Sequence, residues 1–239
     1  MRAEDLLHAG QLDEAIESLG VELKGNPSDI QRRTFLFELL CFSGEHDRAE
    51  KQLGVLAGGS RDAQLGTLLY QGALNADRTR QAMFENGTYP AGAATLPAVS
   101  GTLNGQSFQS LVDADPRIGA RLEVFAAGQY LWIPFAHVAL IRMAAPKRLR
   151  DLLWAPAALR VGPGFRGLEL GEVLIPAVAP LSWQHPDGAV RLGRLSEWIA
   201  LEDSTEVPMG QKLLLVDGQE FPILELRELD ITPVAAATA

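Results

Sequence analysis

Gly10-Gln11-Leu12-Asp13-Glu14-Ala15 returns 34 residues later as Gly44-Glu45-His46-Asp47-Arg48-Ala49. The same shift carries Leu6 onto Leu40 and Leu19 onto Leu53. The coupled positions describe a repeated helical hairpin. The glycine permits the tight turn between two helices, the aspartate is placed to cap the second, and the small alanine lets the helices approach closely. Asn26-Pro27 closes the first unit, because proline cannot continue a helix interior. A further helix is expected from about Asp62 to Phe84, ending at Asn86-Gly87, with Leu65, Leu68, Leu69, Gly72 and Ala73 on its inner stripe.

A 34-residue period with Gly-x-x-Asp-x-Ala is the signature of a tetratricopeptide (TPR) helix pair. The first unit lacks most of its first helix, Arg33 stands where such repeats carry a large aromatic, and Gly58-Gly59-Ser60-Arg61 ends the second without a proline. So short an array cannot bury a core alone and is expected to lean on the rest of the chain. Its usual work is to hold a peptide or helix in a concave face. Gln31, Thr34, Glu38 and Phe42 would line that face, with Glu4 and His8 beside them; each also has an ordinary reading as a solvated or helix-packing position.

Beyond residue 86 the character changes. Residues 87–107 turn to Gly, Ala, Pro, Thr and Ser without period and read as a linker. Residues 108–230 read as a strand-rich domain with at least two helices, and 231–239 as a frayed tail. In this domain Asp115-Pro116 is placed to start a helix carrying Ile118, Leu122 and Phe125, which Gly128 stops. Residues 146–154 read as a short helix. Strands are expected at Tyr130–Pro134, Val138–Met143, Leu170–Ile175, Val190–Leu192, Glu197–Leu201, Lys212–Val216 and Phe221–Leu226, with Asp217-Gly218 as a hairpin turn. The expected class is α+β: a TPR-like helical domain over 1–86, then a mixed strand-rich domain.

Charge and composition exclude several functions. The net charge is −9, with 9 basic and 14 acidic side chains in residues 1–85 and 12 and 16 in the remainder. Neither part offers the basic field that nucleic acid or an anionic membrane requires. The single cysteine, Cys41, excludes an internal disulfide framework and a multi-thiolate zinc site, and points to a reducing compartment. The uncharged run from Val124 to Ile141 is interrupted by Gly128, Gln129, Pro134 and His137, and reads as two buried elements rather than a membrane span. Met1-Arg2-Ala3-Glu4-Asp5 leads into no secretory signal, so the chain is read as cytoplasmic.

No catalytic constellation is evident. Gly162-Pro163-Gly164-Phe165-Arg166-Gly167 spells a dinucleotide fingerprint, but a strand rather than a helix is expected after it, so a glycine-rich hairpin is the better account. His8, His46, His137 and His185 form no ligand pair. Asp113 and Asp115, with Asp151, would offer oxygen to a hard cation, yet helix capping explains Asp115 unaided. The enzyme alternative is a small hydrolase or metal-dependent enzyme using Asp113, Asp115, Arg117 and Asp151. Otherwise no catalytic, cofactor or metal residue is expected. Lys147, Arg148 and Arg150 read as a solvated helix face, and Trp132, Trp154, Trp183 and Trp198 as core fillers, of which an exposed one would mark a contact site.

Five segments carry a resemblance. Phe108-Gln109-Ser110-Leu111-Val112-Asp113-Ala114-Asp115-Pro116-Arg117-Ile118-Gly119, Gly128-Gln129-Tyr130-Leu131-Trp132-Ile133-Pro134-Phe135, Pro146 through Leu149-Arg150-Asp151 to Trp154-Ala155-Pro156-Ala157, and Leu174-Ile175-Pro176 with Arg194-Leu195-Ser196-Glu197-Trp198 follow one another in order. Together with the helical front they resemble the ImpE/TagJ (SciE-type) accessory family of bacterial type VI secretion systems. Ala177-Val178-Ala179-Pro180 departs from the Arg-Tyr-Pro that often follows in that family. The resemblance implies a non-enzymatic cytoplasmic adaptor without cofactor. Its implied partner is the N-terminal helix of the small contractile-sheath subunit, with an indirect link to a ClpV-type disassembly ATPase. The family positions Asp113, Asp115, Arg117, Gly119, Tyr130, Trp132, Pro134, Arg150, Asp151, Trp154 and Trp198 are expected to be structural.

Overall fold

A computed structural model describes residues 2–58, 61–90, 96–162 and 170–232. Five helices come first: α1 (Ala3–His8), α2 (Leu12–Gly25), α3 (Ile30–Phe42), α4 (His46–Leu56) and α5 (Arg61–Asn86). The repeat read from the sequence reappears as geometry. Gly10 and Gly44 turn the chain at φ +78° and +72°, Ala15 and Ala49 are fully buried, and Leu19 and Leu53 sit beneath them. The aspartates do not cap. Gln11 and Glu45 occupy the N-cap positions, while Asp13 and Asp47 stand in the first turns and pair outward with Arg191 and Arg78. There their charge still complements the helix dipole.

The remainder is antiparallel sheet. In chain order the strands are β1 (Gly101–Leu103), β2 (Gln106–Phe108), β3 (Leu111–Asp113), β4 (Arg121–Ala126), β5 (Gln129–Pro134), β6 (Val138–Met143), β7 (Trp154–Val161), β8 (Gly171–Pro176), β9 (Ser196–Ala200), β10 (Glu206–Gly210), β11 (Leu213–Val216), β12 (Gln219–Pro222) and β13 (Glu228–Ile231). Eight strands form one sheet in the order β2-β1-β13-β6-β7-β8-β4-β5; β12-β11-β3 and β10-β9 form two smaller ones. Asp217 and Gly218 both take positive φ in the β11–β12 hairpin, as expected of that dipeptide.

Several expectations are corrected. The segment from Leu122 to Phe125 is strand β4, not helix: all six residues of β4 are buried between β5 and β8, so no alternation marks it as a strand. Asp115 holds a turn, accepting from the Arg117 amide at 3.0 Å, rather than capping a helix. Residues 188–191 form a one-turn helix, α6 (Gly188–Arg191), capped by Asp187, where a strand at Val190 was expected. The helix expected over 146–154 is a 3-10 turn at Leu149–Leu152, and Trp154 opens β7. Strand β12 stops at Pro222, before the 3-10 turn Ile223–Glu225. The stretch read as a linker contains the β1–β2 hairpin, and Ile231, placed in the tail, pairs with Gly101. Residues 163–167 of the glycine-rich segment and 233–239 of the tail lie outside the described residues.

The helices do not form a core of their own. Leu36, Phe37, Leu40, Phe42, Ala73 and Leu74 pack in one apolar cluster with Phe125, Leu153, Trp154, Leu174, Val178 and Leu192 from the strand-rich part. Trp154 is the hinge-pin of this cluster, with Phe37, Tyr70 and Phe125 rings around it. A second core lies within the strand-rich part, built on Phe108, Val124, Phe135, Ile141, Ile175, Leu214 and Leu229.

Candidate functional site

Helix α5 lies against β4 and β5, and a buried ionic network joins them. Arg80 clasps Glu123 at 2.7 and 3.0 Å and donates to the Val178 carbonyl at 3.1 Å. Lys212 Nζ reaches Glu123 and Asp113, each at 2.5 Å. The Tyr130 hydroxyl donates to Glu123 and in turn accepts from Trp132 Nε1. Burial opposes the charge on Glu123, yet Arg80 and Lys212 together hold its carboxyl well below the usual range. Asp113 goes the other way: burial and its neighbour Glu123 outweigh the pull of Lys212 and push it up to about 7. Burial also raises the Tyr130 phenol, and Glu123 adds to this.

Asp113 Oδ1 accepts from the Asp115 amide, Asp115 forks onto Arg117, and the Gly119 carbonyl accepts from the Asp113 and Arg121 amides. The Arg117 guanidinium lies 4.8 Å over the Phe84 ring, and Arg121 5.3 Å over Trp132. Pro134 ends β5 opposite Arg121. Asp151 has different partners, the Lys147 and Arg148 amides at 2.9 and 3.0 Å. Arg150 pairs with Glu38 at 3.1 Å and lies 4.7 Å over Tyr70. The residues of the enzyme alternative are thus divided between the end of β3, the turn after it and a 3-10 turn, and each is engaged by the chain itself. Among the described residues, no group of His, Cys, Asp and Glu is arranged to hold a metal.

Two grooves among the described residues border the helices and carry apolar side chains. A trough of about 560 Å³ runs between α5 and the sheet, lined by Leu68, Leu69, Tyr70, Phe125, Pro156 and Leu174, with Gly72 and Gly128 meeting at its floor. Leu65, Leu68 and Leu69, expected on the inner stripe of α5, are 60%, 69% and 54% exposed beside it. A second groove of about 510 Å³ is lined by Glu4, Leu7, His8, Asp29, Gln31, Arg32, Phe35 and Leu149. It gathers three of the six residues expected on the concave face. Thr34 is bonded to its own helix at the Ile30 carbonyl. Glu38 and Phe42 are buried, Glu38 under Arg150 and Phe42 in the shared core, because the strand-rich part packs across that end of the helices.

Residues 105–230 match the family model described as ImpE protein. The type VI secretion system accessory component TagJ of Pseudomonas aeruginosa is 33% identical over 99% of this chain and 93% of its own length. The chain belongs to the ImpE family. The crystal structure of protein VPA1032 from Vibrio parahaemolyticus superposes with a TM-score of 0.85 over 98% of each chain, at 22% identity, and shares the ImpE fold seen here.

In this ImpE chain the segments at 108–119 and 128–135 supply Asp113 and Tyr130 to the ionic network, those at 146–157 and 174–176 supply Trp154 and Leu174 to the shared apolar cluster, and the segment at 194–198 joins neither. Three members of the network, Arg80, Glu123 and Lys212, escaped the sequence reading. Glu123 interrupts the otherwise apolar stretch 122–126, and Lys212 stands directly before the apolar stretch 213–216. Arg80 looks like any solvated helix residue until α5 is docked. Trp198, expected in a core, is 40% exposed and donates to Glu220 at 2.9 Å. No described helix is long and apolar enough to cross a membrane.

Proposed function

We propose that this chain is a non-enzymatic accessory adaptor of a type VI secretion system. It holds the N-terminal helix of the small contractile-sheath subunit and thereby links the sheath to its ClpV-type disassembly ATPase. The trough beside α5 carries this reading. Leucines at i, i+3 and i+4 that the chain does not cover form a stripe suited to the apolar face of a partner helix. Apolar anchors of that kind dominate the affinity of helix-in-groove complexes. In this reading residues 1–86 are a TPR-like holding unit, residues 108–230 brace it, and the molecule works in the cytoplasm. The near full-length similarity to TagJ supports the choice of system. The internal pairing of Asp115 with Arg117 and the separate engagement of Asp151 support the absence of chemistry there.

The groove lined by Glu4, His8 and Gln31 is a second place for the same helix, favoured by its apolar floor of Leu7, Phe35 and Leu149. Titration of the full chain with the sheath-subunit N-terminal helix as a synthetic peptide tests both. Leu68→Asp with Leu69→Asp is expected to weaken binding at least tenfold, while His8→Ala with Gln31→Ala leaves it within twofold. The reverse result moves the helix to the second groove. No binding to the unaltered protein at high micromolar peptide refutes the adaptor reading and leaves a scaffold of another complex.

A further inference from the structure

Among the described residues, strand β9 has a free edge. Its partner on one side is β10, with Val207 opposite Ile199 and Met209 opposite Glu197, and past the strand end the Leu201 amide donates to the Thr205 carbonyl at 2.8 Å. Gly210, opposite Ser196, directs its amide to Ser182 Oγ and its carbonyl to the Ala179 amide, both at 2.8 Å. Gly210 and Ser196 are therefore a pair that exchanges no ladder bonds. Alternation makes Pro208–Trp198 and Glu206–Ala200 pairs of the same kind, in keeping with the missing N–H of proline. The amides and carbonyls of Ser196, Trp198 and Ala200 thus point away from β10, and no backbone group of another described strand meets them.

Around this edge the apolar and charged surface is one-sided. Trp198 is 40% exposed and Leu195 50%. Residues 194–227 contain Glu197, Glu202, Asp203, Glu206, Asp217, Glu220 and Glu225 against three bases: Lys212 is buried on Asp113 and Glu123, Arg194 donates to the His8 carbonyl, and Arg227 donates to the Leu224 and Leu226 carbonyls. Among the described residues, Glu197, Glu202, Asp203, Glu206 and Glu220 have no lysine or arginine partner. Glu197 faces His185 at 3.4 Å, and Glu220 accepts from Trp198. Open strand edges are normally blunted by lysine, proline or a covering element. Here the carboxylates repel a second copy of the same strand and attract a strand of opposite charge.

We propose that the free edge of β9 docks an extended, lysine- or arginine-bearing segment of a partner protein, which adds as a further strand with Trp198 as its side-chain anchor. Main-chain hydrogen bonds to Ser196, Trp198 and Ala200 supply the register, and the carboxylates supply selectivity for basic segments. The surface is independent of the helix-holding trough.

The test titrates the full chain with an alternating Lys-Val heptapeptide, its Glu-Val counterpart, and the Lys-Val peptide N-methylated at alternate residues. The Lys-Val peptide is expected to bind at least tenfold more tightly than the other two, with affinity falling as salt rises. Its binding is expected to slow amide exchange at Trp198 and Ala200 at least tenfold. Trp198→Ala, at an exposed position, is expected to lower affinity about tenfold, and the triple variant E202Q/D203N/E206Q to abolish the salt dependence. No binding of the Lys-Val peptide at millimolar concentration, equal binding of the N-methylated peptide, or unchanged amide exchange would overturn the proposal.

Discussion

Glu123 holds two cations where water is excluded, and each of its oxygens is engaged. Replacing it with glutamine leaves Arg80 without its counter-charge and Lys212 with Asp113 alone. Breaking a buried pair in this way costs about 3–5 kcal/mol, because the surviving charge stays desolvated. Urea unfolding of Glu123→Gln is expected to show a loss of that size; a change below about 1 kcal/mol would mean that the network contributes no net stability. Asp113 makes a separate prediction in pH. Its carboxyl is raised from 3.8 to about 7 in the fold. The protonated form is therefore the one the fold favours, and this contribution is complete below about pH 4 and lost as pH rises through about 7. Glu38, also raised by burial, acts in the same direction; the depressed Glu123 acts only at lower pH. Between pH 4 and 8 the stability of the unaltered protein is expected to fall relative to that of Asp113→Asn. Parallel stability curves would refute the assignment.

The helical hairpins are set by small residues at their crossings. Ala15 and Ala49 are completely buried at equivalent positions of α2 and α4. Leucine at either site adds volume to a packed crossing and is expected to cost about 1–3 kcal/mol. Thermal melts of the two variants check this, and unchanged melting in both would count against close packing at the repeat. These elements were readable from letters alone because their signals are local. The left-handed glycines and the Asn26-Pro27 stop act within a few residues of where they stand, and the 34-residue shift shows on comparing the chain with itself. Strand β4 does not show in the letters, for the opposite reason. Leu122 and Phe125 happen to stand at helical spacing, and burial on both faces removes the alternation that identifies a strand. The four-residue α6 is too short to have a period, and it rests on the Asp187 cap and on its packing against β10.

The whole molecule is stitched across the helix–sheet boundary at separate points: Arg80 to Glu123, Arg150 to Glu38, Arg191 to Asp13, and the rings around Trp154. The two parts are therefore expected to unfold together. Trp154→Ala removes the side chain that both share and is expected to cost about 3–5 kcal/mol. Hydrogen exchange is expected to rise in α3 and in β8 alike, and faster exchange confined to one of them would show two independent units. The helical hairpins with their glycine turns, the hairpin at Asp217-Gly218 and the strands β5, β6, β8, β9 and β11 follow from patterns that lie within one or two elements, which any fold containing them must respect. The network, the burial of Glu38 and Phe42, and the bare leucines of α5 do not, since their causes are distant in the chain. Arg80 and Glu123 are 43 residues apart, and Glu123 and Lys212 are 89 apart. A charge has no partner, and an apolar stripe no cover, until the sheet has closed against the helix, because desolvation and pairing depend on neighbours in space and not on neighbours in sequence.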